Sequence, residues 1–183
     1  MPEYRRIYLP GATYFFTIVT YKRCPLFLDE NARKLLNEAI ENVMVKRPFD
    51  ILAMCLLPDH IHMLVTLPDS DTDYSTRIRE IKRLFTISYQ KQTGIVLVKN
   101  KSRKNKKEAE IWQRRFWEHT IRDENDLQNH FDYIHFNPVK HGYVEALDEW
   151  QWSSFHHYVE IGVYPKSQVN RMKNNPFKGD FGE

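Results

Sequence analysis

The spacing of apolar residues along the chain switches between two periods, and each switch marks an element. Residues 13 to 20, TYFFTIVT, are aromatic and β-branched with no breaker, and Pro10-Gly11 punctuates the entry, so a buried strand is predicted. From Glu30 to Lys46 the positions Ala32, Leu35, Leu36, Ala39, Ile40 and Val43 recur at helical spacing until Pro48 stops the pattern. Two apolar runs, 50 to 57 and 59 to 67, flank Pro58-Asp59 and predict a hairpin. A second amphipathic helix is expected over Ser75 to Gln92, with Ile78, Ile81, Leu84, Phe85 and Ser88 on one face and Arg77, Lys82 and Arg83 elsewhere. After Gly94 the stretch NKSRKNKKEAE holds no apolar residue except Ala109 and reads as a flexible loop. Residues 111 to 121 predict a further strand, and Asp123 is placed to cap a helix ending near Phe136, because Pro138 biases Asn137 out of the helical region. Trp150 to Tyr158 predicts one more short aromatic helix, and the polar, basic residues that follow predict a mobile tail.

The order strand, helix, strand, strand, helix, strand, with an added helix, predicts an α+β fold of the ferredoxin-like split βαβ type. Helices would pack on one face of an antiparallel sheet and leave the other face open for a site. The expected division is one domain over residues 1–165 and a tail over 166–183. A chain of 183 residues with 42% hydrophobic and 14% aromatic content can bury a real core, which excludes a disordered polypeptide. No apolar run reaches the roughly 18 residues of a membrane span, and the N-terminus lacks the order of a signal peptide, so a cytoplasmic chain with no membrane partner is expected. Cys24 and Cys55 have no CxxC spacing and are expected as free thiols, against a disulfide framework or a zinc knuckle. Plain RNA-binding sheet domains share the same element order, so fold alone leaves function open.

The net charge is only +3, but the basic residues cluster. Arg5 and Arg6 follow Tyr4, six basic residues crowd 99 to 107, and Arg114 and Arg115 sit among aromatics in IWQRRFWEH. Phosphate is the natural anionic partner of such clusters, although any one of them alone would read as solvated surface.

Specific chemistry enters with LLPDHIHMLVTLP, Leu56 to Pro68. His60 and His62 are two apart on a strand and leave the same face. Ile61, Met63 and Val65 must then face the core, which turns both imidazoles to the opposite, helix-free face. Two nitrogen ligands with one amide or carboxylate oxygen suit a divalent metal such as Mg²⁺ or Mn²⁺ that keeps positions open for water and phosphate. In YIHFNPVK, Tyr133 to Lys140, Asn137 is at i+4 from Tyr133 and shares its side of a helix, while His130 at i−3 also reaches that side. A phenol and an amide so placed fit an in-line attack on a phosphate beside a cation. The ordinary readings are a half-exposed polar strand face for the histidines and core packing for the tyrosine. The sequence names no base for the phenol.

The HIH segment, the phrase IWQRRFWEHTIRDENDLQNHFDYIHFNPVKHG, the WQWSSFHHYV segment and the opening YRRIYLPGATYFF together closely resemble the REP-associated tyrosine transposases. These are domesticated relatives of the single-tyrosine HUH transposases of bacterial insertion sequences, and the resemblance runs from Met1 to about Pro165. It implies that His60 and His62 hold a divalent cation and that Tyr133 attacks single-stranded DNA, leaving a 5′-phosphotyrosine and a free 3′-hydroxyl. It places Asn137 as third ligand, a role for which His130 competes by its position, while Asp59 beside the histidines is placed to orient one imidazole from behind. It also implies a REP-type hairpin with adjacent guide bases as partner. Tyr4, Arg5, Arg6, Arg114, Arg115 and Lys140 would contact that DNA, and one or two of Trp112, Phe116 and Trp117 would stack on unpaired bases. Members of this group are expected to act as monomers, in contrast to the dimers of mobile elements. The competing expectations are a non-catalytic nucleic-acid-binding domain on the same fold and, more distantly, a metal-dependent hydrolase of small phosphoesters.

Overall fold

The computed structural model describes residues 8–94, 111–164 and 181–182. The aromatic run forms β1 (Thr13–Val19), and two single 3-10 turns lead into α1 (Glu30–Lys46). Asp29 caps α1 by accepting the backbone N–H of Asn31 at 3.0 Å, which supplies one of the partners a helix start otherwise lacks. β2 (Asp50–Leu56) and β3 (His60–Thr66) make the expected hairpin. α2 (Tyr74–Thr93) is capped by Asp73, and it ends at Gly94 in the left-handed conformation that glycine adopts without a Cβ penalty. β4 (Trp117–Thr120), α3 (Glu124–Lys140) and α4 (Phe155–Glu160) complete the chain order.

The sheet is antiparallel in the order β2-β3-β1-β4, the arrangement expected of the ferredoxin-like split βαβ fold. Successive side chains of a strand alternate between faces, and β1 buries both sets. Phe16 and Ile18, with Ile61, Met63 and Val65 of β3, pack against Leu36, Ile40 and Val43 of α1 and Ile78, Ile81 and Phe85 of α2. Phe15 and Leu64, with Ala53 and Cys55 of β2, pack against Tyr133 and Ile134 of α3 and against Trp150. The histidine face is therefore not helix-free, because α3 lies across it.

Three other expectations change. The strand anticipated over 111 to 121 shortens to Trp117–Thr120. Between the pairs Thr17↔Trp117 and Thr20↔Trp112, two residues of β1 face four of the partner, so the segment bulges and exposes Arg114 and Arg115. Trp112 keeps its bridge to Thr20 while its ring is buried against Phe27 and Phe85, so the extra residues are taken up between Gln113 and Trp117. Second, α3 does not stop near Phe136 but runs through Pro138 to Lys140. Phe136, Asn137 and Pro138 are all buried, and their packing outweighs the proline's local bias. Third, the last helix starts late. The Trp152–Ser154 stretch instead lies along the β2 edge, with Leu56 N–H donating to Trp152 O at 2.9 Å and Ser154 N–H to Met54 O at 2.8 Å, which covers the edge.

α3 is also tied from behind by a chain of side chains. Tyr164 donates its hydroxyl to Asp132 at 2.6 Å and so accepts from His135 Nδ1 at 3.0 Å. The far nitrogen of His135 lies 2.8 Å from the Ser154 hydroxyl, which is also 3.2 Å from Met54 O. Burial pushes His135 down to about 3, so the folded protein keeps this ring neutral while an unfolded chain protonates it near ~6.5. Stability should therefore fall as pH drops below ~6.5 and stop responding to this group below about 3. Thermal unfolding between pH 7 and 4 is expected to show a falling midpoint for the wild type and a shallower fall for His135→Gln, compared with its own midpoint at pH 7.

Candidate metal centre and nucleophile

His60 and His62 lie on β3 with no solvent exposure, their ring centroids 4.8 Å apart and nearly perpendicular. The hydrogen-bond network fixes both tautomers. Asp59, a carboxylate that only accepts, is 2.6 Å from His60 Nδ1, so that nitrogen carries the proton and Nε2 keeps its lone pair. Thr17 spends its one hydroxyl proton on Phe181 O at 2.6 Å, so it must accept from His62 Nδ1 at 3.0 Å. That ring too keeps its lone pair on Nε2, the atom each imidazole would offer a metal. Thr17 reaches His62 because the two are directly paired across β1 and β3.

Asp59 is held in turn. Its carboxylate meets Arg23 at 3.3 Å, and its carbonyl accepts both the N–H and the hydroxyl of Thr20. Lys22 and Arg23 take consecutive left-handed conformations, φ 56° and 54°, a local strain of about 1–3 kcal/mol each that the surrounding contacts must offset. Burial opposes ionisation of Asp59, but the hydrogen bond from His60 and the charge and hydrogen bond of Arg23 outweigh it and hold the carboxyl below its ordinary range.

α3 brings the other groups. Tyr133 is 1% exposed, with its ring centroid 5.4 Å from that of His62. Two turns later the ring of His141 lies 5.4 Å from that of His60. Asn137 sits midway on the same i, i+4 stripe, so its fully buried amide faces the histidine pair. Two buried side-chain atoms, Nε2 of His60 and Oδ1 of Asn137, make no hydrogen bond among the described residues. Two neutral imidazole nitrogens and one amide oxygen form a donor set suited to a small divalent cation with open positions.

His130 is placed differently. Phe15 stands between it and His62, with ring centroids 4.9 Å and 5.4 Å away, and its Nδ1 donates to the Asp126 carbonyl at 2.8 Å. With His119 and Asp126 it forms a cluster whose ligand-type atoms lie within 4.8 Å of one another. Asp126 already accepts from His119 Nε2 at 2.7 Å and from Arg122 at 3.1 and 3.2 Å. Burial of Asp126 is outweighed by these bonds, and its carboxyl is pulled down to about 2. The cluster thus serves as a hydrogen-bonded tie between β4 and α3.

Of the anticipated DNA contacts, Arg114, Arg115 and Lys140 are exposed, whereas Tyr4, Arg5, Arg6 and the basic stretch 99–107 lie outside the described residues. Trp112 is core, Phe116 packs on Phe16 and Tyr74, and Trp117 meets Phe15 and His119, so none of the three is a fully open stacking surface. Thr17, His141 and Phe181 escaped sequence reasoning. Only strand register links Thr17 to His62, and only the helix stripe links His141 to Tyr133. Phe181 stacks face to face on Tyr133, with centroids 3.7 Å apart and planes at 9°. One described stretch of the tail is therefore docked rather than mobile.

The sequence profile of the family described as "Transposase IS200 like" matches residues 9–137. The chain belongs to that family. A REP-associated tyrosine transposase of Escherichia coli K12 is 44% identical over 165 residues, covering 90% of this chain and 89% of that one. A Haemophilus influenzae protein provisionally given the same name is 45% identical over 166 residues, covering 91% and 92%. A solved structure of a REP-associated tyrosine transposase bound to a REP hairpin superposes with a TM-score of 0.77 at 39% identity, covering 100% of this chain and 94% of that one. The chain thus groups with the REP-associated tyrosine transposases. Among the described residues no helix is long and apolar enough to cross a membrane.

Gly182 (φ 74°) follows Phe181 so tightly that a Cβ there would fall 2.3–2.8 Å from Trp117 side-chain atoms. Gly182→Ala and Phe181→Ala are both expected to uncover the phenol. Nitration of Tyr133 by tetranitromethane, read by peptide mass spectrometry, should then quicken several-fold over the wild type.

Proposed function

We propose that the chain is a metal-dependent endonuclease and strand transferase of single-stranded DNA, acting on REP-type hairpins through a 5′-phosphotyrosine at Tyr133. The observation that carries this reading is the meeting of the Tyr133 ring with the His60–His62 pair on one face of the sheet, although some seventy residues separate them. His60, His62 and Asn137 would hold the cation, and bound Mg²⁺ or Mn²⁺ would supply positive charge to a non-bridging phosphate oxygen. Asp59 and Thr17 keep the imidazoles in the ligating tautomer. Tyr133 attacks phosphorus, the O–P bond to the phenol forms, and the bond to the 3′ oxygen breaks. One phosphoester replaces another of similar energy, so the step is reversible and needs no nucleotide hydrolysis.

The hairpin and its guide bases are the substrate by analogy with the hairpin-bound relative. Arg114 and Arg115, exposed on the bulge before β4, support a phosphate contact there, with Tyr4, Arg5 and Arg6 as further contacts. Tyr133 and the histidines that face it come from one chain, which supports a monomer, acting in the cytosol, as the cleaving species.

Labelled hairpin oligonucleotides incubated with Mn²⁺ or Mg²⁺ should yield a covalent protein–DNA adduct on a denaturing gel, first order in protein, and Tyr133→Phe should abolish it. Cleavage without an adduct would make the protein a hydrolase, and hairpin binding with neither product would leave it a plain binder. His60→Ala and His62→Ala are each expected to lose cleavage while keeping hairpin affinity. Asp59→Asn should weaken the metal requirement curve by about 10–100-fold, measured as the Mn²⁺ concentration for half-maximal rate.

A further inference from the structure

Lys140 is the last residue of α3, seven positions after Tyr133 and so on nearly the same side of the helix. The residue is exposed as a whole, yet its ammonium end reaches the phenol. Nζ donates to the Tyr133 phenolic oxygen at 3.0 Å and lies 4.8 Å from the ring centroid. Among the described residues, Phe15, His62 and Phe181 also place ring faces or edges against the phenol ring. An ammonium on the reacting atom is a different placement from a lysine reaching outward for a DNA phosphate.

The geometry points to Lys140 as a catalytic residue that holds the Tyr133 oxygen in place and offsets the negative charge it carries while its bond to phosphorus forms or breaks. The inference rests on the reading of Tyr133 as nucleophile. In cleavage the Tyr133 Oη–P bond forms and the P–O3′ bond breaks, the phenol proton passes to water, and the departing 3′ oxygen takes a proton from water. In strand transfer an incoming 3′-hydroxyl reverses these steps, and the phenolic oxygen becomes the leaving group. The same donor acts in both directions because forward and reverse share one transition state. A fixed charge of this kind needs no reorganisation at the moment of reaction, which is why such donors matter in a water-poor site.

The test compares wild type, Lys140→Met and Lys140→Arg in single-turnover cleavage of a labelled hairpin, in rejoining of the isolated adduct to a 3′-hydroxyl strand, and in hairpin binding across a salt series. Lys140→Met should slow cleavage and rejoining alike, each by about 10²-fold. Its hairpin affinity and salt slope should stay at the wild-type values, which also shows that the variant is folded. Lys140→Arg should recover at least tenfold of the loss in both reactions. Unchanged rates in Lys140→Met beside a productive wild type would overturn the assignment. So would slowing in one direction only, an equal loss in the Met and Arg variants, or normal saturating rates with weaker binding and a salt slope reduced by about one, the signature of a phosphate contact. If the wild type itself gives no adduct, the reading of Tyr133 fails first and takes this one with it.

Discussion

The site depends on one packing event, the docking of α3 across the second face of the sheet. β1 and β3 already place Phe15, His60, His62 and Leu64 on that face through the alternation of their side chains. Left open, the face would expose Phe15 and Leu64 to water at a cost of about 1.5–3 kcal/mol each. Tyr133 and Ile134 cover it. The burial that stabilises the helix is thus the same burial that sets the phenol against the imidazoles, so folding and assembly of the reactive groups are a single event.

Around that contact the polar groups divide into two layers. The inner layer comprises the imidazoles, the Asn137 amide and the phenol. The outer layer comprises Asp59, Thr17 and Lys140, each of which touches an inner group by one hydrogen bond. Asp59 and Thr17 come from opposite ends of the histidine strand's surroundings, a strained cationic turn and the central strand, yet both accept from an Nδ1–H and so hold the proton on that nitrogen. The tie among His119, Asp126 and His130, and the chain from Asp132 through Tyr164 and His135 to Ser154, hold α3 at two further points. Helix position is therefore over-determined, which suits the in-line attack proposed for Tyr133.

Phe181 adds a constraint of another kind. Its ring lies flat on Tyr133 and its carbonyl takes the Thr17 proton, so this short stretch of tail both covers the phenol and sets the His62 tautomer. On the proposed function, DNA reaching the phenol would take the place of that ring. The contact is possible only because the next residue is glycine, against which Trp117 closes.

Local signals decided much of the architecture. Asp29, Asp73 and Asp123 cap the three long helices, and the period of apolar residues set α1 and α2 to within a residue, because caps and periodicity act over a few neighbouring positions. The HIH spacing on a strand, and Tyr133 with Asn137 one turn apart, are likewise written in short stretches. Tertiary packing decided the rest: that α3 continues through Pro138, that Trp112 is core while the chain bulges after Gln113, and that the histidine face is covered. It also decided that Thr17 selects a tautomer, that Lys140 turns onto the phenol, and that Phe181 returns across 48 positions to meet Tyr133. Each of these joins residues far apart along the chain, and its free energy comes from burying surfaces that exist only after the sheet and helices have met.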